Sequence, residues 1–171
     1  MEKPKNSIDL FEFSNSFGAI KEEPTKIIFR QVHRHTLSRI RSYLIKLTKL
    51  CFKIVEHCIF LRDKCGVFHR DLKDENILIN PANLKIRVID FGCATEFDPN
   101  KTYETVSGTP EFFSPEVYTR RKYKAEKLTT WSLGILLYVL LFGDLPFDTE
   151  SQIIKSKRIK VEIHFNLNKL I

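Results

Sequence analysis

The sequence predicts a mainly α-helical domain carrying one short β-hairpin, and three observations predict it. First, Leu37, Ile40, Leu44, Leu47, Cys51, Ile54 and Cys58 recur in steps of three and four, which lines one side of a continuous helix. Second, Leu133 to Phe142 is a nearly unbroken apolar run. It falls well short of the ~18–20 residues a membrane span requires, so it predicts a buried helix and no transmembrane segment. Third, apolar Ile77 to Ile79 and the later Ile86, Val88 and Ile89 flank Asn80-Pro81-Ala82-Asn83, a turn-forming stretch, and together they predict a hairpin.

Composition bounds the rest. With 171 residues, 43% hydrophobic and 29% charged, the chain suits one domain with a real core. The net charge of +7 is spread along the chain, which fits a solvated basic surface. No aromatic–basic interleaving or recognition motif points to nucleic acid, so no such partner is expected, and a monomer is. Four cysteines, Cys51, Cys58, Cys65 and Cys93, form no CxxC pair and sit beside no histidines at zinc spacing, so free thiols are expected. The N-terminus has no apolar stretch of the secretory kind. The expected location is cytoplasmic, with the nucleus as a further possibility.

The chemistry-bearing residues lie around the hairpin. HRDLKDEN runs from His69 to Asn76, and DFG follows at Asp90, Phe91 and Gly92. Phosphoryl transfer needs an acceptor for the substrate hydroxyl's proton, a cation near the moving group, and oxygen ligands for magnesium. Asp71, Lys73, Asn76 and Asp90 can supply all three. The hairpin between Asn76 and Asp90 would swing the second carboxylate back over the first site. Three more motifs follow in order: GTPEFFSPE from Gly108 to Glu116, WSLGILLY from Trp131 to Tyr138, and GDLPF from Gly143 to Phe147.

In this order, the motifs resemble those of protein kinases of the Ser/Thr type. Three features resemble the PIM-like kinases of the calmodulin-dependent group more narrowly. They are MEKPKNSIDLFEF at Met1 to Phe13, KDENIL at Lys73 to Leu78, and Thr129 where most kinases carry an aspartate two residues before the Trp. GTPEFFSPE is nearer to ordinary Ser/Thr kinases. The resemblance implies a mainly α fold, the large C-terminal lobe with its hairpin, and ATP and Mg2+ as cofactors. Asp71 would be the catalytic base and Lys73 the γ-phosphate contact, with Asn76 and Asp90 as metal ligands. Glu2 in the hinge and Leu78 on the pocket floor would meet the nucleotide. Asp9, Glu12, Glu75 and Thr109 would face a protein substrate with basic residues upstream of its Ser or Thr. Arg70 would pair with a phosphorylated residue of the segment that holds Thr102, Tyr103, Thr105 and Ser107.

The six glycines include only Gly18 ahead of Gly66, so no glycine-rich phosphate loop precedes the catalytic motif. The expectation is a partial kinase domain over 1–171, from the hinge to the seventh helix, with the small lobe absent and no five-stranded sheet. Residues 34–53 hold Arg34, Arg39, Arg41, Lys46, Lys49 and Lys53 with no acid. Relative to the usual helix this adds about twenty residues, a basic amphipathic insert. Two readings of the whole remain at this point: an ATP-dependent kinase of basic protein substrates, or a catalytically inactive kinase fragment acting as an interaction module.

Overall fold

The computed structural model describes residues 7–16 and 34–156. Strand β1 (Ile8–Asp9) leads directly into helix α1 (Leu10–Ser16), and the Asp9 carboxylate caps that helix by accepting the Glu12 N–H at 2.7 Å. The hairpin forms where the sequence predicts it, from β3 (Ile77–Asn80) and β4 (Lys85–Val88), with Ile77 opposite Val88 and Asn80 opposite Lys85. Alternation puts Ile77 and Ile79 into the core, both fully buried, while Leu78 faces the other way. The turn occupies residues 81–84, one position later than the expected stretch of Asn80 to Asn83. Leu84 takes a left-handed conformation, φ 55°, and donates to the Asn80 carbonyl at 2.8 Å. The Asn80 and Asn83 side chains each accept an N–H two residues on, which is why asparagines occupy these positions.

Helix α2 (Arg34–Asp63) spans 30 residues without interruption, roughly 45 Å of helix. The predicted continuous helix is present, but its buried stripe differs from the one expected. Leu47, Leu50, Ile54 and Leu61 are buried, whereas Leu44 is 44% exposed and Cys51 and Cys58 are half-buried. The helix also exposes Ile45, Phe52, Val55 and Ile59, so apolar spacing alone did not choose between two stripes. The side chains of Leu37 and Ile40 lie outside the described residues. Lys53 ties the helix to the hairpin tip through the Leu84 carbonyl at 2.8 Å.

Three strands were not anticipated. β1 pairs antiparallel with β3, giving a three-stranded sheet of order β1-β3-β4. β2 (Val67–Phe68) pairs with β5 (Thr95–Glu96) in a second, two-stranded ladder. Two-residue strands are too short to show a period of two. Helix α3 (Pro115–Arg120) is followed by α4 (Ala125–Phe142) and α5 (Glu150–Lys155). The apolar run is the second half of α4, whose 18 residues have the length and hydropathy of a membrane span. The run alone was too short for that test because the helix begins eight residues earlier. Leu128, Ile135, Leu136 and Leu140 are nonetheless buried, as in the core helix of a folded domain. Gly143 closes α4 in a left-handed conformation, φ 73°, donating to the Val139 carbonyl at 2.8 Å.

Candidate active site

The catalytic motif lies between β2 and β3, held from below by the core. Leu72 belongs to the same buried core as Ile77 and Leu10, and Ser132 of α4 donates to the Phe112 carbonyl at 2.9 Å, which fixes the Pro110–Phe112 turn against α4. His69 is 3% exposed and orients the loop: its Nδ1 accepts the Asp71 N–H at 3.3 Å and its Nε2 meets the Ile89 carbonyl at 3.1 Å. These partners assign the proton to Nε2. Burial lowers the His69 pKa, overcoming the opposing Ile89 hydrogen bond and the Asp71 and Asp90 charges, so the ring is neutral.

Asp71, 8% exposed, is the hub. Its Oδ1 accepts the Thr109 N–H at 2.9 Å and the Thr109 hydroxyl at 2.7 Å. Its Oδ2 accepts Asn76 Nδ2 at 3.0 Å, and the same amide donates to the Asp71 carbonyl at 2.9 Å. Lys73 Nζ donates to Thr109 Oγ1 at 2.9 Å and stands 3.8 Å from Asp71 Oδ2 and 3.0 Å from Glu75 Oε2. Burial works to lower the Lys73 pKa, but the Glu75 hydrogen bond with the Asp71, Glu75 and Asp90 charges outweighs it and holds the ammonium above its ordinary value. Asp71, Lys73, Asn76 and Thr109 are thus brought together.

Asp90 reaches the same region along the backbone, because Ile89 donates to the Asn76 carbonyl at 2.9 Å just past the hairpin register. It is an exposed residue in a left-handed conformation, φ 59°, and its Oδ1 accepts the Gly92 N–H at 3.2 Å. With Nδ2 of Asn76 committed to Asp71, its Oδ1 is the atom left for a cation. Among the described residues no group of three His, Cys, Asp or Glu could hold a metal alone. One carboxylate and one amide suit magnesium delivered with substrate phosphates, since that ion keeps waters and phosphate oxygens.

The other predicted residues scatter around this hub. Leu78 is 7% exposed and pairs with Asp9 across β1 and β3. Glu12 and Glu75 are exposed, and Asp9 is partly buried with one oxygen used in capping. Burial raises the pKa of the neighbouring Asp74, with Glu75 and Asp9 adding to it. Glu2 lies outside the described residues. Arg70 already uses its guanidinium on two carbonyls, Cys93 at 2.6 Å and Thr105 at 3.3 Å. Thr102 and Thr105 are exposed and Ser107 half-buried.

Sequence reasoning missed Tyr103 as a structural anchor. It is 4% exposed, pairs with Tyr123 through two backbone bonds, donates its hydroxyl to the Glu96 carbonyl at 2.8 Å and accepts the Asp98 N–H at 3.0 Å. Its position among potential phosphate acceptors disguised that role.

A carboxylate, an ammonium and a hydroxyl are thus held in one network, with an amide and a second carboxylate at the two ends of the hairpin, and the chain belongs to the protein kinase family: the protein kinase domain family matches residues 8–170. It is of the Ser/Thr, PIM-like type. Over 156 residues it is 35% identical to "Serine/threonine-protein kinase pim-2" of Danio rerio, covering 91% of this chain and 43% of that protein. Over 112 residues it is 39% identical to "NUAK family SNF1-like kinase 1" of Mus musculus and of Homo sapiens, covering 66% of this chain and 17% of each. The chain therefore spans less than half the length of these relatives.

Proposed function

We propose that this chain forms the large, catalytic lobe of a protein serine/threonine kinase that transfers the γ-phosphate of ATP to basic protein substrates. The observation that carries the reading is the Thr109 hydroxyl, which donates to Asp71 and accepts from Lys73. An alcohol between a carboxylate and an ammonium has the environment that an acceptor hydroxyl needs. Displacing Thr109, a substrate Ser or Thr would give its proton to Asp71 while Lys73 neutralises charge on the moving phosphoryl group. Asn76 Oδ1 and Asp90 would hold Mg2+, which when bound neutralises the phosphates. Leu78 would floor the adenine site, with Glu2 at its hinge edge.

Asp9, Glu12 and Glu75 would meet arginines upstream of the acceptor through charge-assisted bonds; the Glu75 and Asp9 charges add to burial in raising the pKa of Asp74 beside them, which supports their lying close together. Phosphate on Thr102, Thr105 or Ser107 would recruit Arg70, which must then give up a carbonyl. Residues 34–53 would be an insert lengthening α2. All four cysteines are unpaired, which supports a reducing, cytoplasmic or nuclear location.

The test is phosphate transfer by the full-length gene product to Ser, Thr and Tyr peptides with and without upstream arginines. Ser and Thr peptides with arginine should be preferred, and Asp71→Asn should lower turnover by about 10²–10⁴-fold. Equal use of Tyr peptides, or full activity in that variant, would overturn the assignment.

A further inference from the structure

Helix α2 is apolar on two opposite sides. Leu47, Leu50, Ile54 and Leu61 face the core. Ile45, Phe52 and Ile59 recur at intervals of seven, and at about 100° per residue they fall within about 20° of one line, roughly half a turn round from Leu50 and Ile54. All three are exposed, Phe52 by 67%, and exposed Val55 widens the line on one edge. Single exposed apolar residues are ordinary, but a row of them about 21 Å long is not. Thr48 interrupts the row, yet its hydroxyl is already given to the Leu44 carbonyl at 2.8 Å, so burial costs it no hydrogen bond.

We propose that this row is the interface of a homodimer in which α2 packs antiparallel against α2 of a second copy, in place of the monomer expected from the sequence.

Two features select a second copy as the occupant. The first is that the row is symmetric about its own middle. A two-fold axis beside Phe52, perpendicular to the helix, reverses the second helix. Phe52 then meets Phe52 of the partner subunit, and Ile45 meets Ile59 of the partner subunit.

The second feature is charge. Lys49 and Glu56 flank the row on one edge, at about 60° and about 40° from Phe52. Both are exposed, and among the described residues neither forms an ion pair. Seven residues, about 10 Å, separate them along the helix, so they cannot reach each other. The same two-fold axis keeps each edge on its own side and reverses its order. Lys49 of one protomer therefore comes opposite Glu56 of the partner subunit, and Glu56 opposite Lys49 of the partner subunit, which makes two equivalent ion pairs. A parallel pairing would set this edge against the Val55 edge and leave both charges unpaired. An anionic membrane would repel Glu56 beside the row.

Sedimentation equilibrium of the 171-residue chain at rising concentration reads the assembly directly. The mass should climb from 20.1 kDa toward twice that value, with a dissociation constant of about 100 µM or tighter. Phe52→Glu places two carboxylates on the axis and should leave a monomer with undiminished helical signal, since the side chain is exposed. Lys49→Glu and Glu56→Lys each turn both ion pairs into like-charge contacts and should weaken association about tenfold or more. Combining the two substitutions in one chain should restore it. Mixing the two single variants should give a heterodimer, because each then carries the charges that the other lacks. A merely local effect of either substitution predicts no such rescue. A monomer at every concentration, as when another segment of the same chain covers the row, would overturn the proposal. So would a dimer indifferent to Phe52→Glu, a failure of both rescues, or a monomer that binds phosphatidylserine vesicles through Phe52.

Discussion

Replacing Gly108 by alanine should loosen the active site from a position that touches no reacting atom. Gly108 has φ +115°, a region that residues with a side chain rarely adopt, and an added Cβ would lie 2.4 Å from the Arg70 carbonyl oxygen. Phe113 lies 3.3 Å away on the same side, so the chain cannot relax in that direction. The dihedral strain costs about 1–3 kcal/mol and relieving the overlap about 1–3 kcal/mol more. The expected loss is about 2–6 kcal/mol of a total that for domains is about 5–15 kcal/mol, a fall in Tm of about 4–24 °C. The movement must also pull Thr109 from Asp71, which it contacts at 2.7 and 2.9 Å. Thermal unfolding measures the first effect and amide exchange at Thr109 the second. A Tm within about 1 °C of the parent, with Thr109 equally protected, would refute the close approach of these two backbone segments.

Tyr103→Phe removes the hydroxyl that joins Glu96 to Asp98, and should cost about 1–3 kcal/mol and speed amide exchange at Asp98; unchanged exchange there would count against the anchor. Lys53→Met, which releases the Leu84 carbonyl, should cost about 0.5–1.5 kcal/mol and raise exchange in the hairpin turn, not in α4; exchange rising first in α4 would contradict the contact. Burial lowers the pKa of His69 and His57 from the ordinary 6.5, so the unfolded chain takes up protons first on acidification. Stability in urea should be full above about pH 6.5 and decline below it until the folded-state values are passed, less steeply in His69→Gln; stability that rises from pH 7.5 to 5.5 would contradict a buried neutral His69.

The hairpin was legible because Ile77–Ile79, the asparagine-flanked turn and Ile86–Val88 all encode it within fourteen residues. The long helix was legible for the same reason of local periodicity. Its buried side was not, because Leu44 and Leu50 are equally apolar and only the position of the hairpin and α4 makes Leu50 the one that is buried. The ladders β1–β3 and β2–β5 depend on partners tens of residues away and contribute two residues each, too few for a pattern. At the site, residue types and spacing singled out Asp71, Lys73, Asn76 and Asp90, yet the link through Thr109 spans 38 positions from Asp71 and is a property of the fold. Tyr103 shows the converse, a residue whose chemistry suggests modification and whose burial makes it a strut.

The account rests on Asn76 and Asp90 forming, with the hairpin between them, a site that takes magnesium together with nucleotide phosphates. Calorimetric titration of ATP into the 171-residue chain, with and without Mg2+, tests this most directly. The account predicts binding that requires Mg2+ and disappears in Asp90→Asn. Binding that is indifferent to Mg2+, or that survives Asp90→Asn undiminished, would contradict it.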